Sequence, residues 1–122
     1  MIMNKFVFSF VFTVVLGLGL PIFAYAENAL LYLSPPTAVV TIGETFTVNV
    51  VIDTGGDLIN AAEGRVTYDP ADVTLLSVDT STSIFSSWLT VPVSDGEHVE
   101  FSGATDQSGY NGEAGVIMRL TF

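Results

Sequence analysis

The stretch Thr45-Phe46-Thr47-Val48-Asn49-Val50-Val51-Ile52 decides the fold class of this 122-residue chain. Its apolar side chains recur at every second position: Phe46, Val48 and Val50 share one face, and threonine and asparagine occupy the other. Side chains of a β-strand alternate between the two faces of its sheet, so the pattern predicts a strand with one buried face. Such a face needs a second layer to cover it.

The same alternation recurs outward from this strand, and no segment after Glu27 has the apolar spacing of an amphipathic helix. Strands are predicted over Ala29–Leu33, Ala38–Ile42, Glu63–Tyr68, Val73–Val78, Ile84–Val93, His98–Ser102 and Val116–Phe122. In Val73–Val78, the adjacent Leu75 and Leu76 suggest a bulge or a strand covered on both faces. Asp95-Gly96 is a strong hairpin signal. About eight short strands of this kind predict an all-β, two-sheet β-sandwich with jelly-roll topology.

The alternation also predicts which side chains form the core. The inward set is Phe46, Val48, Val50, Val66, Tyr68, Leu75, Val99, Phe101, Met118, Leu120 and Phe122. In the last strand, Val116 is expected on the same face as Met118 and Leu120, opposite Arg119 and Thr121.

The first 26 residues have the organisation of a secretory signal peptide. Met1–Lys5 carries one positive side chain, and an apolar run of 15 residues, Phe6–Leu20, follows it. Pro21 then ends the predicted apolar helix, and Ala24-Tyr25-Ala26 supplies the small-x-small pattern of a cleavage site. The run is short for a membrane-spanning helix of about 20 residues. We therefore expect cleavage after Ala26 and a secreted or cell-surface protein, the alternative being an uncleaved N-terminal anchor.

The expected mature part, residues 27–122, is strongly acidic. It holds all 13 acidic residues of the chain and two basic ones, Arg65 and Arg119, which gives a net charge of −11. So acidic a surface repels phosphate groups, and we expect neither nucleic-acid binding nor membrane contact by the mature domain itself. The absence of cysteine excludes a disulfide scaffold, thiol catalysis and cysteine-ligated metal.

The sequence offers little for catalysis. His98, the single histidine, falls on the polar face of a predicted strand beside Glu97 and Glu100, and no G-x-S-x-G motif accompanies it. Glycoside hydrolysis needs two carboxylates that face each other in a cleft. A solvated acidic surface explains the carboxylates of this chain better. We predict that the protein is not an enzyme.

Calcium is the one cofactor that this composition can attract, because the ion takes hard oxygen ligands. Asp53 and Asp57 bracket a Thr-Gly-Gly loop, and Asp106 and Glu113 flank a second loop. Neither loop has the D-x-[DN]-x-[DN]-G pattern of an EF-hand, and aspartate and glycine are ordinary turn residues. We expect no cofactor, with calcium as the alternative.

Two aromatic residues are candidates for ligand contact. Trp88 has the opposite parity to Phe85 and Leu89, so an inward Phe85 would leave Trp88 outside, where it can stack on a sugar ring or a partner. The competing interpretation is a partly buried tryptophan of the sandwich. Tyr110 precedes Asn111-Gly112 at a predicted loop tip, where it is either exposed or caps the core.

Several segments, in their order and spacing, resemble the cohesin domain, a jelly-roll module related to the family 2 and family 3 carbohydrate-binding modules. Ile42–Val50 is similar to the opening G-[ED]-x-F-x-V-x-V strand, and Ile59–Pro70 ends in the family's Tyr-Asp-Pro. Val73–Val78 resembles the strand that follows. Gly115–Phe122 resembles the closing G-x-[IL]-x-x-[IL]-x-F strand, after Val99–Gly103 and Gly109–Gly112. The resemblance covers about Leu30–Phe122.

The resemblance implies a binding function. Cohesins hold dockerin modules in polysaccharide-degrading complexes or at the cell surface, and their relatives bind polysaccharide directly. In cohesins another strand follows the one similar to Gly115–Phe122, so we expect a fragment whose domain is incomplete at its C-terminus. Residues 27–122 are therefore expected to form a non-catalytic extracellular module that recognises a dockerin-like protein. The alternatives are direct polysaccharide binding and a structural role in a surface protein.

Binding of cohesin type implies contact through an outward sheet face rather than a pocket. The strand patterns place these polar side chains outward, though not necessarily on one sheet: Asn49, Glu63, Arg65, Thr67, Glu100 and Arg119. The two arginines either relieve repulsion between carboxylates or form bidentate bonds to a partner.

We predict that export removes residues 1–26, because Ala24-Tyr25-Ala26 stands directly before Glu27. N-terminal sequencing of the exported protein should begin at Glu27. Exported protein that begins at Met1 would contradict this prediction.

Overall fold

The computed structural model describes residues 5–7, 11–15 and 29–122, and the expected cleavage site Ala24-Tyr25-Ala26 lies outside them. These ranges contain ten strands: β1 (Lys5–Val7), β2 (Val11–Val15), β3 (Leu30–Ser34), β4 (Val39–Thr41), β5 (Thr47–Asp53), β6 (Ala61–Thr67), β7 (Ser77–Asp79), β8 (Ser87–Ser94), β9 (His98–Ala104) and β10 (Gly115–Thr121). In the same ranges no helix has the length and apolarity needed to cross a membrane.

Two four-stranded sheets carry the fold. One has the order β3-β5-β10-β7 and the other β2-β6-β9-β8, while β1 pairs separately with β4. All of these neighbours are antiparallel. The inner faces of the two sheets share one buried apolar cluster. The predicted all-β, two-sheet sandwich is therefore confirmed at the level of its class and layers.

Each strand predicted within residues 29–122 overlaps an observed strand, and one of them is much shorter than predicted. The strand predicted over Val73–Val78 is reduced to β7. The amides of Asp72 and Val73 both donate to the carbonyl of Asp69, at 3.0 and 3.1 Å, so the preceding turn continues into the predicted strand. Leu75 is partly buried and Leu76 is exposed. The suggestion of a bulge or a doubly covered strand there was wrong.

The apolar N-terminal run differs from the predicted helix. Its residues Val11–Val15 form β2, antiparallel to β6, and Lys5–Val7 forms β1 beside β4. The sequence of β2 is Val-Phe-Thr-Val-Val. Because β-branched and aromatic residues fit a pleated sheet better than a helix, local preference favours the strand once an edge is available to pair with.

The predicted core is largely confirmed. Nine of its eleven members are buried: Val48, Val50, Val66, Tyr68, Val99, Phe101, Met118, Leu120 and Phe122. Phe46 and Leu75 are only partly buried, but both pack against the core. The Phe46 ring stacks on Phe122, with centroids 5.4 Å apart, and the two backbones exchange hydrogen bonds of 3.0 and 2.9 Å.

A bulge in β10 changes the predicted faces of that strand. Val116 pairs with Val51 and Met118 with Val50, so Ile117 is the extra residue between them. Ile117 and Met118 are both fully buried, whereas Val116 is not. The expectation that Val116 shares a face with Met118 was wrong, because a bulge shifts the alternation by one residue.

Two glycines on the inner face of the β6–β9 pair let aromatic rings approach the sheet closely. A Cβ on Gly64 would lie 2.9 Å from Cζ of Phe101, and a Cβ on Gly103 would lie 2.4 Å from Cδ2 of Phe85. Gly64 is also the cross-strand partner of Phe101. The rings therefore occupy the volume that side chains at these two positions would take.

The predicted hairpin at Asp95-Gly96 joins β8 to β9. Gly96 has a φ of 104°, which favours glycine, and one carboxylate oxygen of Asp95 accepts from the amides of Glu97 and His98 at 2.9 and 2.7 Å. These backbone bonds, followed by the side chain of His98, lower the pKa of Asp95 from its ordinary value to about 2. The charged carboxylate thus stabilises the turn that places β8 beside β9.

We predict that Phe101→Ala lowers the free energy of unfolding by about 3–5 kcal/mol, because the ring is fully enclosed and its loss leaves a cavity. Phe46→Ala should lower it by less, since Phe46 is only partly buried. Denaturant unfolding of the two variants measures the difference. An equal loss, or a larger one for Phe46→Ala, would show that the core is not centred on Phe101.

We also predict that Asp95 contributes to acid sensitivity. A carboxyl whose pKa is lowered in the folded chain stabilises the fold above its unfolded pKa of about 3.9 and loses that effect as the pH falls towards the folded value. Thermal unfolding midpoints measured between pH 5 and pH 2 should therefore fall less steeply in Asp95→Asn than in the unmodified chain. Asp57→Asn removes one charge away from the hairpin and serves as the control. An unchanged slope in Asp95→Asn would contradict the prediction.

Candidate functional site

The strand register assembles an outward polar face on β6, β9 and β8. Arg65 of β6 lies opposite Glu100 of β9, which in turn lies opposite Val93 of β8. A second row contains Glu63, Ser102 and Thr90 in the same order. Because the alternating residues Val66, Val99 and Phe101 are buried, these two rows point to solvent. We call these six residues the β6–β9–β8 face.

An ion pair lies at the centre of this face. Nη2 of Arg65 donates to Oε1 of Glu100, and the two side chains remain about half exposed, at 48% and 53%. An exposed pair of this kind contributes at most about 1 kcal/mol to stability. It nevertheless holds a guanidinium in place on a surface that is otherwise acidic, with donors available to a partner.

A shallow depression of about 270 Å³ includes this ion pair in its lining. Its lining consists of Glu63, Gly64, Arg65, Thr90, Glu100, Phe101 and Ser102. Small-molecule sites enclose most of their ligand within largely apolar walls. The open shape of this depression suits contact with another surface better than enclosure of a small molecule.

Exposed apolar side chains run along β8 at the edge of the face. Leu89, Val91 and Val93 have exposed fractions of 85%, 62% and 68%. They alternate with Trp88 and Pro92, which are partly buried and buried, respectively, and the strand has register shifts between Trp88 and Thr90 and between Thr90 and Val93. Sequence reasoning missed this feature, because a Leu-x-Val-x-Val alternation looks like a core-facing strand. Pro92 was the available signal, since proline in a sheet indicates an edge strand or a bulge.

The structure divides the predicted binding residues between the two sheets. Glu63, Arg65 and Thr67 lie on β6, with Glu100 opposite Arg65. The remaining pair, Asn49 on β5 and Arg119 on β10, belongs to the other sheet. The two arginines are therefore not part of one site.

On the second sheet, Arg119 is engaged by its neighbours. Its Nε donates to Oδ1 of Asn49 at 3.2 Å, and its cross-strand partner on β7 is Asp79. Hydrogen bonds from the backbone and side chain of Ser81, with a smaller effect of Arg119, hold the pKa of Asp79 below its ordinary value. Arg119 thus offsets local carboxylate charge, one of the two roles foreseen for it.

The two candidate aromatics pack against the core. Trp88 lies opposite Gly103 and contacts Phe85 edge to face, with ring centroids 5.4 Å apart. It is partly buried, so the interpretation as a sandwich tryptophan is the one that the geometry supports. Tyr110 forms a bridge with Ile59 and also packs against the core, so it caps the sandwich. Neither ring forms a flat exposed platform.

The loops considered for calcium are closed by internal hydrogen bonds. Oδ1 of Asp53 accepts from the amide of Gly55 at 2.8 Å. The buried hydroxyl of Thr54 donates to Asn111 at 2.9 Å and accepts from the amide of Gly112 at 3.1 Å. In residues 5–7, 11–15 and 29–122, no three acidic or histidine side chains come together as ligands for a metal ion.

The second loop is organised in the same way. Asp106 accepts hydrogen bonds from the side chain and the backbone of Ser108, and these bonds lower the pKa of its carboxyl. The carbonyl of Glu113 accepts from the hydroxyl of Tyr32 at 2.9 Å. The two hydrogen bonds from Ser108 mean that the carboxylate of Asp106 stabilises its own turn.

His98 has a partner within its own hairpin. Its Nδ1 lies 3.1 Å from Oδ2 of Asp95. The nearby hydroxyl of Ser94 bonds to the hydroxyl of Tyr68 and accepts from the amide of Gly96. The serine and the histidine thus serve the hairpin separately and are not arranged as a nucleophile and its base.

A second, larger groove of about 490 Å³ lies elsewhere on the molecule, with no lining residue in common with the first depression. It is lined by residues 40–46 and 71–74, with Leu76 and Phe122. None of the predicted binding residues lies in it. It borders β4, where the strand pairs with β1.

Comparison with known proteins gave no relatives: no protein-family model, no curated protein and no solved structure matches the chain. These comparisons identify no family, and the likeness to cohesins remains a prediction from the sequence motifs.

Proposed function

We propose that this chain is a non-catalytic extracellular binding module of cohesin type. Its fold is proposed to be a jelly roll, its N-terminal segment a signal peptide, and its place of action the cell surface or the medium. The partner is a dockerin-like protein module, through which the domain takes part in polysaccharide binding or breakdown. Contact is proposed to occur through the β6–β9–β8 face.

One observation carries this proposal: an exposed apolar strip on β8, formed by Leu89, Val91 and Val93, lies next to the Arg65–Glu100 ion pair. Val93 follows Arg65 and Glu100 in a single cross-strand row, and Leu89 and Val91 continue the apolar strip along β8. Protein interfaces combine an apolar centre with a polar rim, and arginine is among the residues that contribute most to binding. A flat face with this composition fits a folded protein partner.

The charge of the domain supports a partner with a basic surface. Residues 27–122 have a net charge of −11, which accelerates the approach of a positively charged module and makes its association sensitive to salt. Arg65, as a local cation, would then pair with a carboxylate or with carbonyl groups at a helix end of the partner.

Direct polysaccharide binding is less well supported. Sugar recognition by stacking needs an exposed aromatic platform. Trp88 and Tyr110, the two rings foreseen for that role, both pack against the core. A purely structural role in a surface protein makes no use of the exposed apolar strip on β8, whose exposure to water needs an explanation.

We predict that Arg65→Ala and Val93→Ala each weaken binding to a dockerin module by about tenfold or more, the size expected when a central interface residue is truncated. Titration calorimetry of the exported protein against a panel of dockerin modules, at low and high salt, measures the effect. Arg119→Ala removes the same charge from the opposite sheet, so it is the matched control and should bind within about twofold of the unmodified chain.

Three results would contradict the proposal. The first is the absence of binding to every dockerin module, and the second is an equal loss of binding in Arg65→Ala and Arg119→Ala. The third is retention on insoluble polysaccharide that Trp88→Ala alone abolishes. Loss of binding by unfolding is excluded by checking the thermal midpoint of each variant, because a half-exposed ion pair contributes little to stability.

A further inference from the structure

One edge of β6 is covered by a segment that the sequence predicts to be removed. On one side β6 pairs with β9 along Ala61–Thr67, and on the other it pairs with β2 along Glu63–Thr67. The strand β2, Val11–Val15, lies inside the apolar run that precedes the expected cleavage site after Ala26. The strand that completes this sheet in the full chain is therefore lost if the segment is cleaved.

The β6 edge lacks two features that prevent pairing with another strand, a proline and a bulge, although it carries the charged Glu63 and Arg65. Its ladders with β2 and β9 run without a register shift, and it contains no proline. The opposite edge of the same sheet differs, because β8 carries Pro92 and two register shifts. Proteins protect exposed edges with prolines, bulges and short strands, so β8 is protected while β6 is suited to accept a strand.

The occupant seen on this edge has a definite chemistry. The sequence of β2, Val-Phe-Thr-Val-Val, is uncharged and consists of β-branched and aromatic residues. It pairs antiparallel with β6 and also contacts β3 of the opposite sheet. An uncharged strand of this type closes the side of the sandwich as well as the sheet edge.

We propose that the Glu63–Thr67 edge of β6 is a strand-acceptor site, filled by the chain's own Val11–Val15 and opened when residues 1–26 are removed. The site is distinct from the β6–β9–β8 face, because it uses backbone groups along a sheet edge rather than outward side chains. Its function is backbone recognition of an uncharged, β-branched strand, which in the full chain is supplied in cis.

A disulfide test in the full chain decides whether this pairing forms. The chain has no cysteine, so two cysteines introduced together report only on each other. Thr13 and Arg65 lie directly opposite in the register, and opposed Cα atoms at about 4.5–5.5 Å fall within the range of a disulfide. Thr13→Cys with Arg65→Cys should therefore form an intramolecular disulfide on mild oxidation.

The matched control is Val14→Cys with Arg65→Cys. A slip of one residue points the two side chains to opposite faces of the sheet, so this pair should not cross-link. Equal cross-linking of both pairs, or of neither, would overturn the proposal. So would a disulfide that forms only between two molecules, since the strand would then come from a second copy of the chain.

Hydrogen exchange tests whether removal of the segment opens the edge. Those amides of Glu63–Thr67 that point towards β2 should exchange at least about tenfold faster in the chain without residues 1–26 than in the full chain, whereas the alternate amides point towards β9. The amides of Val99–Phe101 on β9, which pairs on both sides, are the internal reference. Equal exchange of β6 in the two forms, or an equal change on both strands, would overturn the proposal. Neither result bears on dockerin binding, so the two proposals fail independently.

Discussion

The packing of Phe101 over Gly64, together with that of Phe85 over Gly103, is the contact on which the geometry of this sandwich depends. Neither glycine has room for a Cβ, so each ring lies directly against the backbone of the sheet. Interiors are close-packed, and a methyl group at either position would displace an aromatic ring that lies in the core. The inward direction of β6 and β9 is thereby determined. Their alternate residues must then face water.

The polar face is a consequence of that inward packing. With Val66 and Phe101 buried, Arg65 and Glu100 are directed to the same side of adjacent strands and form an ion pair. The pair adds little to stability, because both side chains are half exposed. It places a cation at a defined point on an acidic surface.

The strand β8 combines an irregular backbone with exposed apolar side chains. Its register shifts and Pro92 make the strand a poor template for edge pairing. Leu89 and Val93 of the same strand are exposed to solvent, and Val93 lies opposite Glu100 of the ion pair. One edge of the sheet is thus protected from other strands and equipped with apolar contact area. The opposite edge, β6, keeps a regular backbone and takes a strand from the N-terminal segment.

Local pattern was sufficient wherever a strand is regular. Alternation alone predicted the class of the fold, the positions of most strands and nine of the eleven proposed core residues, because a side-chain period of two needs no knowledge of the partner strand. The hairpin at Asp95-Gly96 was equally local, since glycine supplies the positive φ that the turn requires.

The tertiary structure decided which face some residues occupy and which strands share a sheet. The side-chain periodicity of the strands and the turn residues do not specify either. Bulges at Ile117 and along β8 change which face a residue occupies, and they depend on the neighbouring strand. The separation of Arg65 from Arg119 depends on which strands share a sheet, as does the inward position of Trp88 opposite Gly103. The sequence by itself determined an alternating, acidic, all-β chain. Strand pairing decided which of its side chains meet, because contacts between distant segments are set by register and sheet order rather than by local preference.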